Sequence, residues 1–185
     1  MRISPWETLQ RSLTADLRIF SAYNVQRKHP KTGALGDFTL LDSAEWVNIL
    51  PLTADNNVVM VRQYRHGTDA ITLELPGGLV ERGENPLHAG MRECREETGY
   101  AAGEDAVLLG VNEPNPAFMN NRCHSFLWRN CSLQQGQSLD EFEDIEVVVL
   151  PLAEIPSRIL AGEIQHSLVL TAFFFYFLRQ QHDKH

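Results

Sequence analysis

The chain has 185 residues, 43% of them hydrophobic and 22% charged, an average globular composition with enough apolar residues for one full core. Its formal net charge of -8 excludes a broad electrostatic footprint for nucleic acid and a basic face for anionic lipid, so a phosphate-bearing ligand needs cations or a few placed arginines. The opening MRISPWETLQRSLTADL lacks the apolar core of a signal peptide, and no run approaches the roughly 18 apolar residues of a membrane span, so a cytoplasmic protein without membrane or nucleic-acid partners is expected.

Phe20 to Lys28 reads as a strand, His29-Pro30-Lys31-Thr32-Gly33 as a turn and Asp37 to Leu41 as the returning strand, which makes a hairpin ahead of the main fold. Trp46 to Leu50, closed by Pro51, and Val58 to Tyr64 are β-branched apolar runs separated by turn-forming residues, and are expected to be core strands. Ile71 to Leu75 leads into Pro76-Gly77-Gly78. A helix is predicted over Pro86 to Thr98, because Asn85 suits the N-cap, Pro86 the first helical position and Gly99 the C-terminal stop. Leu87, Met91 and Cys94 give it an apolar stripe. Val107 to Val111, Cys123 to Trp128 and Glu146 to Leu150 read as further strands, Leu152 to Gly162 as a helix, and Ser167 to Gln180 as a closing helix whose apolar run Leu168 to Leu178 is expected to be buried. Strands interleaved with helices indicate an α/β layer fold. Cys94, Cys123 and Cys131 form no CxxC pair and are expected to be reduced, mostly buried thiols.

On the predicted helix, 100° per residue places Glu97 about 40° from Glu93, and Glu96 about 60° to the other side, so three carboxylates share one face. Such neighbours repel unless a cation sits among them, and hard oxygen donors of this kind suit Mg2+ or Mn2+. A solvated face with Arg92 and Glu96 paired at i, i+4 is the plain alternative. Against it stand the Gly-Gly turn after a strand and Glu84 just ahead of the helix, all within the 23 residues from Gly78 to Tyr100.

That segment, GLVERGENPLHAGMRECREETGY, resembles the signature of the Nudix hydrolase family: Gly78, Glu84, Arg92, Glu93, Glu96, Glu97 and Gly99 occupy every fixed position, with Cys94 and Tyr100 as the apolar ones. The resemblance implies an α/β/α sandwich with a mixed sheet, residues 46–185 forming the hydrolase domain. Residues 1–45 become an N-terminal extension whose hairpin helps build a homodimer. It further implies that Glu93, Glu96, Glu97 and the Gly77 carbonyl hold two or three Mg2+ (or Mn2+) ions while Arg92 orients the glutamates. A pyrophosphate bond repels nucleophiles, and ions of this kind neutralise its oxygens and acidify a water.

The flanks bear on the substrate. Pro116, sixteen residues after Tyr100, is similar to a mark of the ADP-ribose pyrophosphatase group, although the usual Ser-Pro-Gly element reads Asn115-Pro116-Ala117. Val61-Arg62-Gln63-Tyr64-Arg65 resembles the segment that gives an arginine, here Arg65, to the substrate phosphates. Asp140-Glu141-Phe142-Glu143-Asp144-Ile145 resembles the acidic loop that supplies the base, with Glu141 as base and Glu143 as a further metal ligand. Phe38 and Trp46 are candidates for stacking on a nucleobase. The resemblance therefore implies hydrolysis of a nucleoside diphosphate sugar, ADP-ribose first and GDP-mannose as the nearest rival, with Glu141, Arg92 and Glu96 as catalytic residues. mRNA decapping and dinucleotide hydrolysis fit less well with an acidic chain carrying Pro116, and a non-catalytic ligand sensor would have no reason to keep every carboxylate.

Overall fold

The computed structural model describes residues 3–182, which fall into two compact units. The N-terminal unit comprises the chain up to Ala44 together with Glu113–Arg122. Its strands β1 (Glu7–Asp16), β2 (Phe20–Lys28) and β3 (Leu35–Ser43) form an antiparallel meander in the order β1-β2-β3. The expected hairpin is thus the β2–β3 half of a larger sheet. Strand β1 carries no readable pattern because it is exposed almost throughout, and register shifts after Thr8 and after Leu13 interrupt its alternation. The turn after β2 closes with His29 N–H donating to the Ala34 carbonyl at 2.8 Å and Gly33 at φ 72°. Residues 113–122 are stitched to the end of β3: Leu41 N–H donates to the Phe118 carbonyl at 2.7 Å, and the Asn120 amide donates to Asp42 at 2.7 Å.

The second unit runs from Glu45 to Asn112 and resumes at Cys123. It contains β4 (Trp46–Pro51), β5 (Asn57–Arg65), β6 (Ala70–Glu74), helix α1 (Pro86–Thr98), β7 (Tyr100–Ala101), β8 (Val107–Asn112), β9 (Cys123–Trp128), β10 (Ser132–Leu133) and β11 (Ile145–Pro151). A 3-10 turn (Leu152–Glu154), α2 (Ile155–Leu160) and α3 (Ser167–His182) complete it. One sheet is antiparallel, β11-β5-β6; the other, β4-β9-β8, is mixed because β4 and β9 run parallel. Strands β7 and β10 form a two-residue ribbon.

Period-two alternation decides which helix covers which face of the mixed sheet. Val47 and Ile49 of β4 and Phe126 and Trp128 of β9 pack with Ala89, Met91 and Cys94 of α1. Leu50 and Leu127, one residue out of phase, join Val58 and Met60 of β5 and Val169, Ala172 and Phe173 of α3 in the larger cluster. The sheet is therefore buried on both sides, which gives the α/β/α arrangement. Helix α2 is shorter than the expected Leu152 to Gly162, since Pro156 has no N–H and blocks α-helical bonding through the preceding turn. Helix α3 is only half-buried, contrary to the expected core helix: Phe173 is enclosed, Leu178 is exposed, and Phe174 is exposed at an open apolar groove also lined by Ile159, Leu170 and Phe177. Among the described residues no helix is long and apolar enough to cross a membrane. Cys94, Cys123 and Cys131 are free and buried, and burial pushes the Cys123 and Cys131 thiols up to about 12.

Candidate active site

The loop after β6 lies along β4 as an extra short strand. Val47 and Gly78 exchange N–H···O=C bonds at 3.0 and 3.2 Å, Ile49 N–H donates to the Pro76 carbonyl at 2.9 Å, and Val80 N–H donates to the Glu45 carbonyl at 2.9 Å. Trp46 pairs with Leu79 across this seam. Only glycine allows such an approach: a Cβ on Gly77 would stand 2.1 Å from the Val47 carbonyl oxygen, and one on Gly78 would stand 2.5 Å from Glu93 Oε1. The Glu93 carboxylate thus rests against the bare backbone of Gly78.

Helix α1 carries the acidic cluster between well-formed ends. Asn85 Oδ1 accepts from Leu87 N–H at 2.9 Å, and Gly99, at φ 74°, donates its N–H to the Arg95 carbonyl at 2.9 Å. Half-buried on this helix, Arg92 uses all its donors. Nε and Nη2 form a fork with Glu84 at 3.0 Å each, Nη1 reaches Glu93 at 2.9 Å and Glu96 at 3.0 Å, and Nη2 also reaches the Leu79 carbonyl at 3.3 Å. Glu84, a signature residue without a role in the sequence reading, is thereby the partner that fixes the guanidinium plane. Glu97 is turned inward, 3% exposed, and accepts from Gly77 N–H at 3.0 Å.

Three carboxylates, Glu84, Glu93 and Glu96, therefore surround one guanidinium, and a fourth, Glu97, lies near Glu93. Burial first, then the neighbouring charges of Glu93 and Glu143, push the Glu97 carboxyl up to about 8, and burial lifts Glu93 as well. Among the described residues no three acidic, His or Cys side chains converge on one point, because Arg92 engages Glu93 and Glu96 and the Gly77 N–H engages Glu97. Oxygen-only donors with an uncompensated negative charge are nevertheless the chemistry that a divalent cation completes, so the residues present fit Mg2+ or Mn2+.

The acidic loop lies within electrostatic reach of this cluster, since Glu143 raises both Glu93 and Glu97. A turn closes it: Glu143 N–H donates to the Asp140 carbonyl at 3.0 Å, and Asp140 N–H donates to Glu143 Oε2 at 2.9 Å. Glu141 and Phe142 occupy its exposed tip, Phe142 being 92% exposed.

Arg65 lies at the end of β5, in the field of Glu97. Its Nε and Nη2 form a fork with the buried Glu74 at 2.8 and 2.7 Å, leaving Nη1 without a protein partner among the described residues. Thr72 donates to Glu74 at 2.6 Å, and His166 Nδ1 stands 3.2 Å from it. Glu74 was not singled out in the sequence; its signal is a lone acid between Leu73 and Leu75 in a core strand. Burial alone would lift its carboxyl, and the Arg65 fork with His166 and Thr72 overrides this, holding it well below the usual carboxylate range. A depressed carboxyl stabilises the fold fully above its unfolded value near 4.5 and loses that contribution as pH falls. Glu74→Gln should therefore lower stability at pH 7 by about 2 to 3 kcal/mol. In urea titrations the wild-type advantage should narrow progressively below about pH 4.5.

Of the other predicted contacts, Trp46 is half-buried at the start of β4 in this unit, whereas Phe38 and Pro116 belong to the N-terminal unit. Phe38 is 44% exposed on β3 and packs edge-on against Trp6 at 5.5 Å.

Residues 44–172, well over half of the chain, match the family described as NUDIX domain. The chain belongs to the Nudix hydrolase family. It is similar to an ADP-ribose pyrophosphatase of Bacillus subtilis (strain 168), 31% identical over 64% of this chain and 64% of that protein. It is also similar to a methanol dehydrogenase activator of Bacillus methanolicus, 31% identical over 68% of each. The match thus spans just under two thirds of the length of the first of these relatives. A crystal structure of an ADP compounds hydrolase superimposes with a TM-score of 0.85 over 98% of both chains at 22% identity, so the two share a fold.

Proposed function

We propose that this Nudix protein hydrolyses the pyrophosphate bond of nucleoside diphosphate sugars in an Mg2+-dependent reaction, ADP-ribose being the preferred substrate and a nucleoside monophosphate plus a sugar phosphate the products. The observation that carries this reading is the carboxylate face of α1, with Glu93 and Glu96 held by Arg92, Glu97 buried beside them, and surplus negative charge left over. Bound Mg2+, replaceable by Mn2+ and numbering two or three ions, supplies neutralisation of the phosphate oxygens and acidification of a water. Glu93, Glu96, Glu97, Glu143 and the Gly77 carbonyl are the proposed ligands, and Arg92 keeps Glu93 and Glu96 aimed from one side. Arg65, already oriented by Glu74, offers Nη1 to a phosphate oxygen. Glu141, at the exposed tip of the acidic loop, accepts the proton of the attacking water. The similarity to an ADP-ribose pyrophosphatase supports the choice of substrate. Trp46 and Phe38 are proposed as stacking candidates on their aromatic rings, and the part given to Pro116 rests on resemblance.

With Mg2+ present, kcat/KM for ADP-ribose should exceed that for GDP-mannose, ATP and diadenosine polyphosphates, while other nucleotide sugars are still cleaved measurably. A clear preference for triphosphates would move the chain to another Nudix group, absent turnover would favour a ligand sensor, and metal-independent turnover would refute the Mg2+ dependence.

We further propose that residues 1–45 act as a dimer-forming extension in a cytoplasmic homodimer. Among the hydrophobic residues of the three N-terminal strands only Val25 is buried, while Leu9, Leu13, Leu35 and Phe38 are exposed, so this sheet has apolar surface left to cover. Light scattering at micromolar concentration should give twice the chain mass; a fully active monomer would refute it.

A further inference from the structure

The acidic loop is short, and one side chain at its start ties both of its ends. Gln137 Nε2 donates to the carbonyl of Glu97 at 2.7 Å and to the carbonyl of Ile145 at 3.0 Å. The first acceptor is in the last turn of α1, where helix carbonyls lack intrahelical partners; the second is the first residue of β11, immediately after the loop. One backbone bond runs alongside, Ser138 N–H donating to the Glu96 carbonyl at 2.8 Å. Residues 138–144 are thereby drawn shut at their base and fastened to the helix that carries Glu93, Glu96 and Glu97. Gln137 itself is exposed, so its contribution lies in these two hydrogen bonds and not in packing.

We infer that Gln137 is a positioning residue that holds the acidic loop in register with α1, so that Glu141 and Glu143 face the carboxylate cluster before substrate arrives. This rests on the proposed assignment of the base to that loop. A primary amide suits the task because its two N–H groups satisfy two carbonyls at once; a carboxylate in its place offers no donor and adds negative charge at the C-terminal end of α1.

The test compares wild type, Gln137→Ala and Gln137→Glu. In chelator-treated protein, amide hydrogen exchange over residues 138–144 should quicken by about 10-fold in both variants, with exchange in α1 unchanged. With ADP-ribose and saturating Mg2+, kcat should fall by about 10-fold while KM stays within about twofold, since the loss is of alignment and not of phosphate contacts. The Gln137→Ala/Glu141→Gln double variant should be no slower than Glu141→Gln alone, because a misplaced base and a missing base are the same defect. Unchanged exchange in the loop would overturn the clamp itself. Faster exchange with unchanged kcat would overturn its catalytic role; silent Glu141→Gln and Glu143→Gln variants would then show that the base-loop assignment had failed, and damaging ones that only the positioning role had.

Discussion

Glu97→Gln should abolish measurable turnover of ADP-ribose at saturating Mg2+ while making the metal-free protein more stable at neutral pH. Both effects follow from the burial of the carboxylate. At 3% exposure Glu97 is held by a single backbone N–H, from Gly77 at 3.0 Å, and faces the charges of Glu93 and Glu143. Its carboxyl is pushed up to about 8, against 4.5 as its ordinary value. With the folded value raised, the folded chain binds more protons than the unfolded chain between those two limits, so its stability declines as pH rises from about 4.5 to 8. Glutamine retains an oxygen for the Gly77 N–H and never ionises, which removes that decline; a gain of a few kcal/mol at pH 7.5 is expected in chelator-treated protein. The same substitution deletes the anionic donor nearest the Gly77 turn, so Mg2+ should raise the melting temperature of the variant much less than that of wild type. Near-normal kcat in Glu97→Gln at saturating Mg2+ would remove the carboxylate face of α1 from the catalytic reading. A destabilised metal-free variant would instead contradict the account of the buried charge.

Legibility in the sequence followed local signals closely. Helix α1 spans Pro86–Thr98 as expected, because its ends are set by single residues whose chemistry is specific: Asn85 as cap, Pro86 in the first turn, Gly99 with positive φ. Strands β2 and β9 also fall where their β-branched and aromatic runs place them. Strand β1 was missed because nothing about an exposed, twice-shifted strand distinguishes it from a polar segment. Within the candidate site the limit was partnership. The carboxylate face of α1 could be derived from helical spacing, and each glutamate that Arg92 binds lies within eight residues of it in the chain. Glu74 acquires its meaning from Arg65 across a hairpin and from His166 at the start of α3. Gln137 binds two backbone carbonyls, which every residue carries, so no side-chain pattern announces it. Arg65 illustrates the same point in reverse: the sequence suggested an arginine for phosphate, and only the fold shows that a buried carboxylate takes Nε and Nη2 and leaves Nη1 over.

Glu141→Gln should lower kcat by roughly 10² to 10⁴ with KM near normal. The carboxylates of α1 are proposed to be engaged by cations, and an engaged carboxylate is a poor proton acceptor, so the base has to come from elsewhere. In the acidic loop the two glutamates are already in different circumstances. Glu143 spends Oε2 on the Asp140 N–H at 2.9 Å and lies close enough to lift Glu93 and Glu97, as suits a residue that shares a cation with them. Glu141 stands at the exposed tip of the turn that Asp140 and Glu143 close, free of such ties and able to move over bound substrate. A base must come within about 2.6 to 3.2 Å of the water it deprotonates, and a turn tip anchored at both ends offers that reach with little loss of register. Glutamine preserves the size of the side chain and most of its hydrogen bonding but accepts no proton, so the chemical step suffers while phosphate contacts through Arg65 persist. A large kcat loss in Glu143→Gln with a nearly silent Glu141→Gln would exchange the two roles and shift the reading of this loop by two residues.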